Sequence, residues 1–157
     1  MKQQKSYTVE EATRLLEKYC AYQERCHKDI EQKLYDLSMI PEAKEQIILH
    51  LLQHNFLNEE RFAKAFVRGK FNQNKWGKIK ITNELKFKNI SSYNIKIGLK
   101  EISEADYLKT LQQLAEKKNN LIKESNPFKR RSKLYTYLAS KGFETNYINN
   151  CLNELLI

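Results

Sequence analysis

Apolar residues recur along most of this chain at spacings of three and four, which place them on one face of an α-helix. Thr8 and Glu11 have the spacing of a capping box ahead of the first such segment, which covers about residues 9–24. The apolar face of this segment consists of Ala12, Leu15, Leu16 and Tyr19. The pattern predicts further helices over about residues 26–37, from Pro41, from Asn58, and over about residues 77–88, 92–101, 104–124, 127–141 and 145–156.

The predicted helices form a repeat. Apolar positions correspond at an offset of 51 residues between the first and second copies, and at 53 between the second and third. The matched triplets are Ile30, Leu34 and Met39; Ile81, Leu85 and Ile90; and Leu134, Leu138 and Phe143. Lys88-Asn89 and Lys141-Gly142 fall at equivalent helix ends, where Asn or Gly suits a left-handed cap. Although amphipathic helices can align by chance, the constant offset favours an all-α, elongated array of three tandem three-helix repeats, at residues 1–56, 57–102 and 103–157.

The composition agrees with a helical, soluble chain. Four glycines and two prolines in 157 residues are too few for an architecture rich in strands and turns. No apolar run reaches membrane-spanning length, and the N-terminus lacks the apolar core of a secretion signal, so we expect a cytoplasmic protein that does not bind a membrane. The odd number of cysteines, Cys20, Cys26 and Cys151, suits a reducing compartment and leaves their role open.

Charge is concentrated in the middle of the chain. Residues 58–100 contain eleven Lys or Arg against three Glu, a balance of +8 out of a total of +9. Such a field predicts a polyanionic partner, although a charge run is more often only a solvated helix face. The candidate contacts are Arg68, Lys70, Lys75, Lys78, Lys80, Lys86 and Lys88, with a second cluster at Arg130, Arg131 and Lys133. Trp76 stacks on a nucleic-acid base in one interpretation and seals a joint between helices in the other.

No catalytic or metal site is predicted. The chain lacks the G-x-S-x-G, Walker and H-E-x-x-H patterns, and no pair of its glycines forms a phosphate cradle. Cys26-His27 and the pair His50 and His54 are not accompanied by the C-x2-C spacing of zinc sites. We therefore expect a protein without enzymatic activity, metal or cofactor.

Three segments of the central repeat stand out: Leu57-Asn-Glu-Glu-Arg-Phe-Ala63, Trp76-Gly-Lys78 and Asn83-Glu-Leu-Lys-Phe-Lys-Asn-Ile90. Together they resemble the signature of RecX proteins, a bacterial family built from three-helix repeats. The resemblance is specific in the central repeat, moderate in the third and weak in the first. Asn58 stands where the family often has Asp, Asn89 where it usually has Gly, and Leu37-Ser38 replaces the Lys-Gly pair in the first repeat.

The resemblance implies a regulator of the RecA recombinase. Such a protein lies in the groove of the RecA–single-stranded-DNA filament and restrains it, and nucleotide hydrolysis belongs to the partner. Nothing in the sequence demands a dimer, so we expect a monomer. The alternative is a DNA-binding protein that acts without a recombinase partner, since this also accounts for the charge.

Overall fold

The computed structural model describes residues 6–157, and in this range all regular secondary structure is helical. The helices are α1 Val9–Tyr22, α2 His27–Asp36, α3 Pro41–Gln53, α4 Glu59–Asn72, α5 Lys78–Phe87, α6 Ser92–Leu99, α7 Glu104–Leu121, α8 Pro127–Ser140 and α9 Thr145–Leu155. Each helix packs mainly against the other two of its triplet, α1–α3, α4–α6 or α7–α9. The predicted all-α fold of three-helix units is confirmed, and we refer to these triplets as the first, second and third units.

At the start of several helices, a polar side chain accepts a hydrogen bond from a backbone N–H of the first turn. The predicted capping box is present, because the Glu11 N–H donates to Thr8 Oγ1 over 3.1 Å and the Thr8 N–H donates to the Glu11 carboxylate over 3.2 Å. Asn58 Oδ1 accepts from the Arg61 N–H over 2.9 Å at the start of α4. These bonds satisfy donors that a helix start otherwise leaves unpaired.

The second helix of every unit ends in the same way. Ser38, Asn89 and Gly142 follow α2, α5 and α8 with φ values of 58°, 62° and 97°. The next residue then donates its N–H back to the helix: Met39 to Leu34 O, Ile90 to Leu85 O and Phe143 to Leu138 O, over 3.0–3.3 Å. This is the Schellman motif. The predicted left-handed caps at Asn89 and Gly142 are confirmed, and Ser38 adopts the same conformation.

Buried side chains form two cores. The first unit has its own, centred on Leu16, Ile30 and Leu51. The second and third units share one continuous core, in which Ile81 and Leu134 belong to the same cluster. Leu15, which the periodicity predicts on the apolar face of α1, is 36% exposed because three short helices cover only the centre of each apolar stripe.

The second and third units are joined where α8 ends and α5 begins. The Gly77 N–H donates to Lys141 O over 2.7 Å, and the Ile79 N–H donates to Gly142 O over 2.9 Å. Donors left unpaired by the start of one helix thus meet acceptors at the end of another, and the two helix dipoles follow head to tail. A Cβ atom on Gly77 would lie 2.3 Å from the carbonyl carbon of Gly142, so only glycine permits this approach.

Tyr107 closes the same joint from α7. Its hydroxyl accepts the Lys78 N–H over 2.9 Å and donates to the Glu144 carboxylate. Burial, together with the hydrogen bond to Glu144, raises the pKa of Tyr107 well above its ordinary value, so the hydroxyl keeps its proton. Residues of α7 and of the turn between α8 and α9 therefore hold the start of α5 in place.

A second joint connects the first and second units. Lys28, at the start of α2, donates to Phe87 O at the end of α5 over 2.9 Å, and its ammonium lies 3.9 Å from the Phe87 ring centroid. Cys26 is fully buried within the core of the second and third units. Arg61 Nε lies 2.5 Å from the Glu24 carboxylate. The helices α8, α5 and α2 thus follow one another end to end, and we call this row the spine.

Candidate nucleic-acid interface

In the spine, the helices of the second and third units, α5 and α8, carry lysines at matching positions. Lys80 and Lys88 are eight residues apart in and just after α5, and Lys133 and Lys141 stand at the same places in and just after α8, 53 residues later. Two residues eight positions apart on an α-helix are separated by two full turns plus about 80° around its axis. The two lysines of each pair therefore lie on one side of their helix. Because α5 begins where α8 ends, the two pairs follow one another along the spine. The two helices contain 24 residues, which is about 36 Å of helix at 1.5 Å for each residue.

Two aromatic rings hold lysine ammonium groups beside this row. Trp76 lies between Lys70 and Lys80, whose nitrogens are 4.8 Å and 4.5 Å from its ring centroid. Phe66 has Lys70 at 5.6 Å and Lys88 at 6.0 Å. Cation–π attraction at such distances already restricts the conformations of these long lysine side chains. They therefore lose less conformational entropy when they bind a ligand. Both rings also pack against the shared core, as a residue that seals a joint would.

Four of these lysines make a connected set, which we call the lysine face: Lys70, Lys80, Lys88 and Lys141. Within residues 6–157, none of them has a carboxylate within 4.0 Å. Burial, and then the charge of Lys80, lower the pKa of Lys141. A positive neighbour therefore disfavours the charge on Lys141, and an anion between the two lysines would relieve this repulsion.

Comparison with known proteins gives the family. A family model described as RecX, second three-helix domain, matches residues 58–99, and one described as RecX, third three-helix domain, matches residues 104–152. A regulatory protein RecX from Clostridium beijerinckii is 31% identical over 149 residues, covering 94% of this chain and 67% of that protein. The chain belongs to the RecX family.

Other relatives agree. A regulatory protein RecX from Clostridium perfringens is 29% identical over 133 residues, and the match spans 83% of this chain but 62% of that relative's length. The crystal structure of RecX from Lactobacillus salivarius superposes with a TM-score of 0.83 at 24% identity, covering 94% of this chain and 96% of that one. A crystal structure of a regulatory protein RecX gives a TM-score of 0.84 at 23% identity, over 92% and 73% of the two chains. These structures share the fold of this chain.

The other candidate lysines of the second unit lie outside the connected set of the lysine face. Lys75 is exposed in the turn before α5, with a φ of 58°. Lys78 holds its ammonium 4.7 Å from the ring centroid of Tyr107. Lys86 is exposed on α5. Like the lysine face, these three have no carboxylate within 4.0 Å in the described part of the chain.

The candidate arginines and Lys133 have partners within the protein. Arg68 lies 3.1 Å from the Glu101 carboxylate, and Lys133 lies 3.5 Å from Glu124. Arg131 donates to Asn153 Oδ1 over 2.9 Å. The Arg130 guanidinium donates to the backbone carbonyls of Asn119, Ile122 and Glu124 over 3.0–3.3 Å. Arg130 thus fastens the C-terminal end of α7, whose carbonyls lack helical donors.

Lys141 belongs to the lysine face but is not among the candidate contacts that the sequence predicts. Its ammonium also donates to Asn74 O over 2.8 Å, across the joint between the second and third units. The signal was present, because Lys141 lies 53 residues after Lys88 at an equivalent helix end. Its proximity to Lys80 depends on the packing of α8 against α5, which no local pattern specifies.

Replacing Arg130 by alanine is expected to lower the free energy of unfolding by about 2 kcal/mol, since it removes charge-assisted bonds to three carbonyls at a helix end. Nucleic-acid affinity at a temperature where the variant is folded should change little. Urea denaturation and fluorescence anisotropy would measure the two quantities, with Arg131→Ala as the matched control of small stability effect. A large loss of affinity in a fully stable Arg130→Ala protein would contradict this assignment.

The histidines and cysteines of the described residues do not form a metal site. Within residues 6–157 no group of three or more His, Cys, Asp or Glu is placed to hold a metal ion, and none of the helices has the length and apolarity to cross a membrane. His50 and His54 stack with centroids 4.4 Å apart. Burial raises the pKa of Cys20 to about 11 and that of Cys26 above its ordinary value, so both thiols remain protonated near neutral pH.

Proposed function

We propose that this chain is a regulatory protein that binds the RecA–single-stranded-DNA filament and restrains recombination, with its lysine face turned toward the phosphates. The observation that carries the proposal is the end-to-end packing of α8 and α5, which brings Lys141 beside Lys80. Membership of the RecX family supports the regulatory role, and the names of its relatives describe regulatory proteins.

The face is suited to a phosphate backbone rather than to base edges. Its cations are ammonium groups, which act as point charges and lack the planar fork with which arginine reads guanine. Lys70 and Lys80 already occupy positions beside the Trp76 ring, and a stacked base would have to displace one of them. Binding that depends on phosphates would be largely independent of sequence, as a regulator of a filament on any strand requires.

The first unit does not continue the lysine face. Asp29 and Leu37 stand 51 residues before Lys80 and Lys88, so the equivalent places carry an acid and an apolar side chain. Two apolar side chains of α3 in the first unit, Leu49 and Leu52, are 54% and 48% exposed. This division supports nucleic-acid contact by the second and third units and protein contact by the first.

A comparison of bare and coated single strands tests the proposal. The fluorescently labelled strand is used alone or covered with recombinase and a nonhydrolysable nucleotide, and anisotropy gives the affinity of the chain. We expect at least about 10-fold tighter binding to the coated strand, because protein contacts add to the phosphate contacts. Equal affinities would favour the alternative, a DNA-binding protein that needs no recombinase.

The same preparation tests the direction of regulation. Titration of the chain into a recombinase strand-exchange reaction should slow product formation at concentrations where anisotropy shows the coated strand to be occupied. Unchanged or faster strand exchange at full occupancy would contradict the restraining role while leaving the binding intact.

A further inference from the structure

A groove between α7 and α9 lies outside the lysine face and shares no residue with it. Its volume is about 630 Å³, within the range of roughly 300–1,000 Å³ that is usual for ligand sites. Apolar side chains form much of its lining, chiefly Leu108, Leu111 and Leu155. Leu108 is 44% exposed, so part of this apolar surface faces solvent. A groove of this volume that combines exposed apolar surface with polar side chains is typical of a binding site.

Carboxylates surround this apolar surface. Glu104, Glu116 and Glu154 line the groove, and among residues 6–157 no lysine, arginine or histidine nitrogen lies within 4.0 Å of them. Glu104 accepts from the Tyr147 hydroxyl over 2.8 Å, and Glu116 accepts from the Gln112 amide over 3.0 Å. None of these three carboxylates thus forms an ion pair within residues 6–157, in a chain whose net charge is +9.

Cys151 also lines the groove, and the charges of its carboxylates affect the pKa of the Cys151 thiol. Burial is the first cause that raises the pKa of its thiol, and the charges of Glu154 and then Glu116 raise it further. A positive group in the groove would oppose the effect of the two carboxylates. Charge and apolarity together thus select a ligand that presents cations beside an apolar side chain.

We propose that the groove between α7 and α9 binds a basic amphipathic segment of a protein partner. An apolar side chain of the segment lies over Leu108 and Leu155, and its lysine or arginine side chains meet Glu116 and Glu154. Nucleic acid is disfavoured here because its phosphates would face three carboxylates. A second copy of this chain is also disfavoured, since the net charge of +9 on each copy opposes association.

The test uses a fluorescein-labelled helical peptide of about 14 residues, made of leucine and lysine in amphipathic order. Binding of this peptide to the full chain is measured by anisotropy without DNA or recombinase, so the outcome is independent of the function proposed above. The net positive charge of the protein suppresses adventitious binding of a cationic peptide elsewhere. A peptide with glutamate in place of lysine and another with serine in place of leucine serve as controls.

Substitutions in the protein test whether the peptide binds in the groove between α7 and α9. Glu116→Lys with Glu154→Lys should weaken binding about 10-fold, because two ion pairs become repulsive contacts. The control, Glu31→Lys with Glu45→Lys, makes the same change in net charge at two exposed carboxylates of the first unit and should change the affinity less than about 2-fold. Leu108→Ser should weaken binding about 5-fold through lost apolar contact, and Leu121→Ser, at an exposed position of α7 outside the groove, should leave it unchanged.

Thiol protection provides a second readout at the site. Cys20 and Cys26 are buried, whereas Cys151 is partly exposed, so a thiol reagent added to the folded chain should modify Cys151 first. The bound peptide should slow this reaction. Absence of binding at about 100 μM peptide, equal affinity for the glutamate peptide, or binding that neither protects Cys151 nor responds to the Glu116 and Glu154 reversals would overturn the proposal. Self-association that the Leu108→Ser variant abolishes would also overturn it, in favour of a second copy.

Discussion

Replacing Lys80, Lys88 and Lys141 together by glutamate is expected to lower the affinity for the RecA–single-stranded-DNA filament about 100-fold at 0.1 M salt. Each phosphate contact on a single strand contributes about 0.7 to the logarithmic salt slope, which is about 5-fold in affinity at this concentration. Three lost contacts multiply to about 100-fold, and the slope itself should fall by about two. Anisotropy across a series of salt concentrations measures both numbers.

The control for this variant changes charge equally at other places. Lys18, Lys96 and Lys109 are exposed lysines outside the lysine face, and their replacement by glutamate produces the same net charge of +3. Circular dichroism establishes that both variants are folded. If the control loses as much affinity as the variant of the lysine face, the field of the whole chain and not this surface governs binding. A variant of the lysine face that keeps the wild-type salt slope would contradict the proposed contact.

Replacing Gly77 by alanine is expected to lower the free energy of unfolding by about 3 kcal/mol. The new Cβ would lie 2.3 Å from the carbonyl carbon and oxygen of Gly142. Both belong to backbone, so relief requires α5 and α8 to separate. Separation breaks the bonds from Gly77 to Lys141 and from Ile79 to Gly142. Urea denaturation measures the loss, and the variant should also bind the filament more weakly because Lys80 and Lys141 move apart.

Gly69 offers a control of opposite sign. It lies inside α4, and a Cβ built there meets no atom within 4 Å. Gly69→Ala should therefore raise the free energy of unfolding by about 0.5–1 kcal/mol, as alanine does in a helix interior. If Gly77→Ala is as stable as the wild type, the close approach of α5 to α8 is not needed for the fold. If it is destabilised but binds the filament normally, the lysine face does not depend on this joint.

The joint between the second and third units also explains why the segment of Trp76, Gly77 and Lys78 contains these residues. Trp76, Gly77 and Lys78 belong to a segment by which the chain resembles RecX proteins, and each has a role in the structure. Trp76 packs on the shared core between two lysines, Gly77 permits close contact with Gly142, and the Lys78 N–H meets the Tyr107 hydroxyl. A motif that reads as a loop between helices is thus the contact between two units.

The candidate site was foreseeable only in part. Lys70, Lys80 and Lys88 could be predicted because the middle of the chain has many cations and few acids. The involvement of Arg68 and Arg130 in internal contacts could not, because Glu101 and the carbonyls at the end of α7 reach them only through packing. Arg68 is 33 residues from its partner, a separation at which no helical spacing relates them. The sequence therefore does not distinguish a Lys or Arg side chain that faces solvent from one that binds a carboxylate or carbonyl within the protein.

The sequence by itself determined the helices, their caps and the threefold repeat. Each of these depends on interactions among residues close in the chain: Thr8 with Glu11 at a helix start, or Asn89 and Gly142 in left-handed caps at helix ends. The tertiary structure alone decided that the second and third units share one core, that α5 continues from α8, and that Lys141 lies beside Lys80. These features depend on contacts between residues about 60 positions apart, such as Gly77 with Lys141, and helical periodicity carries no information on which ends meet.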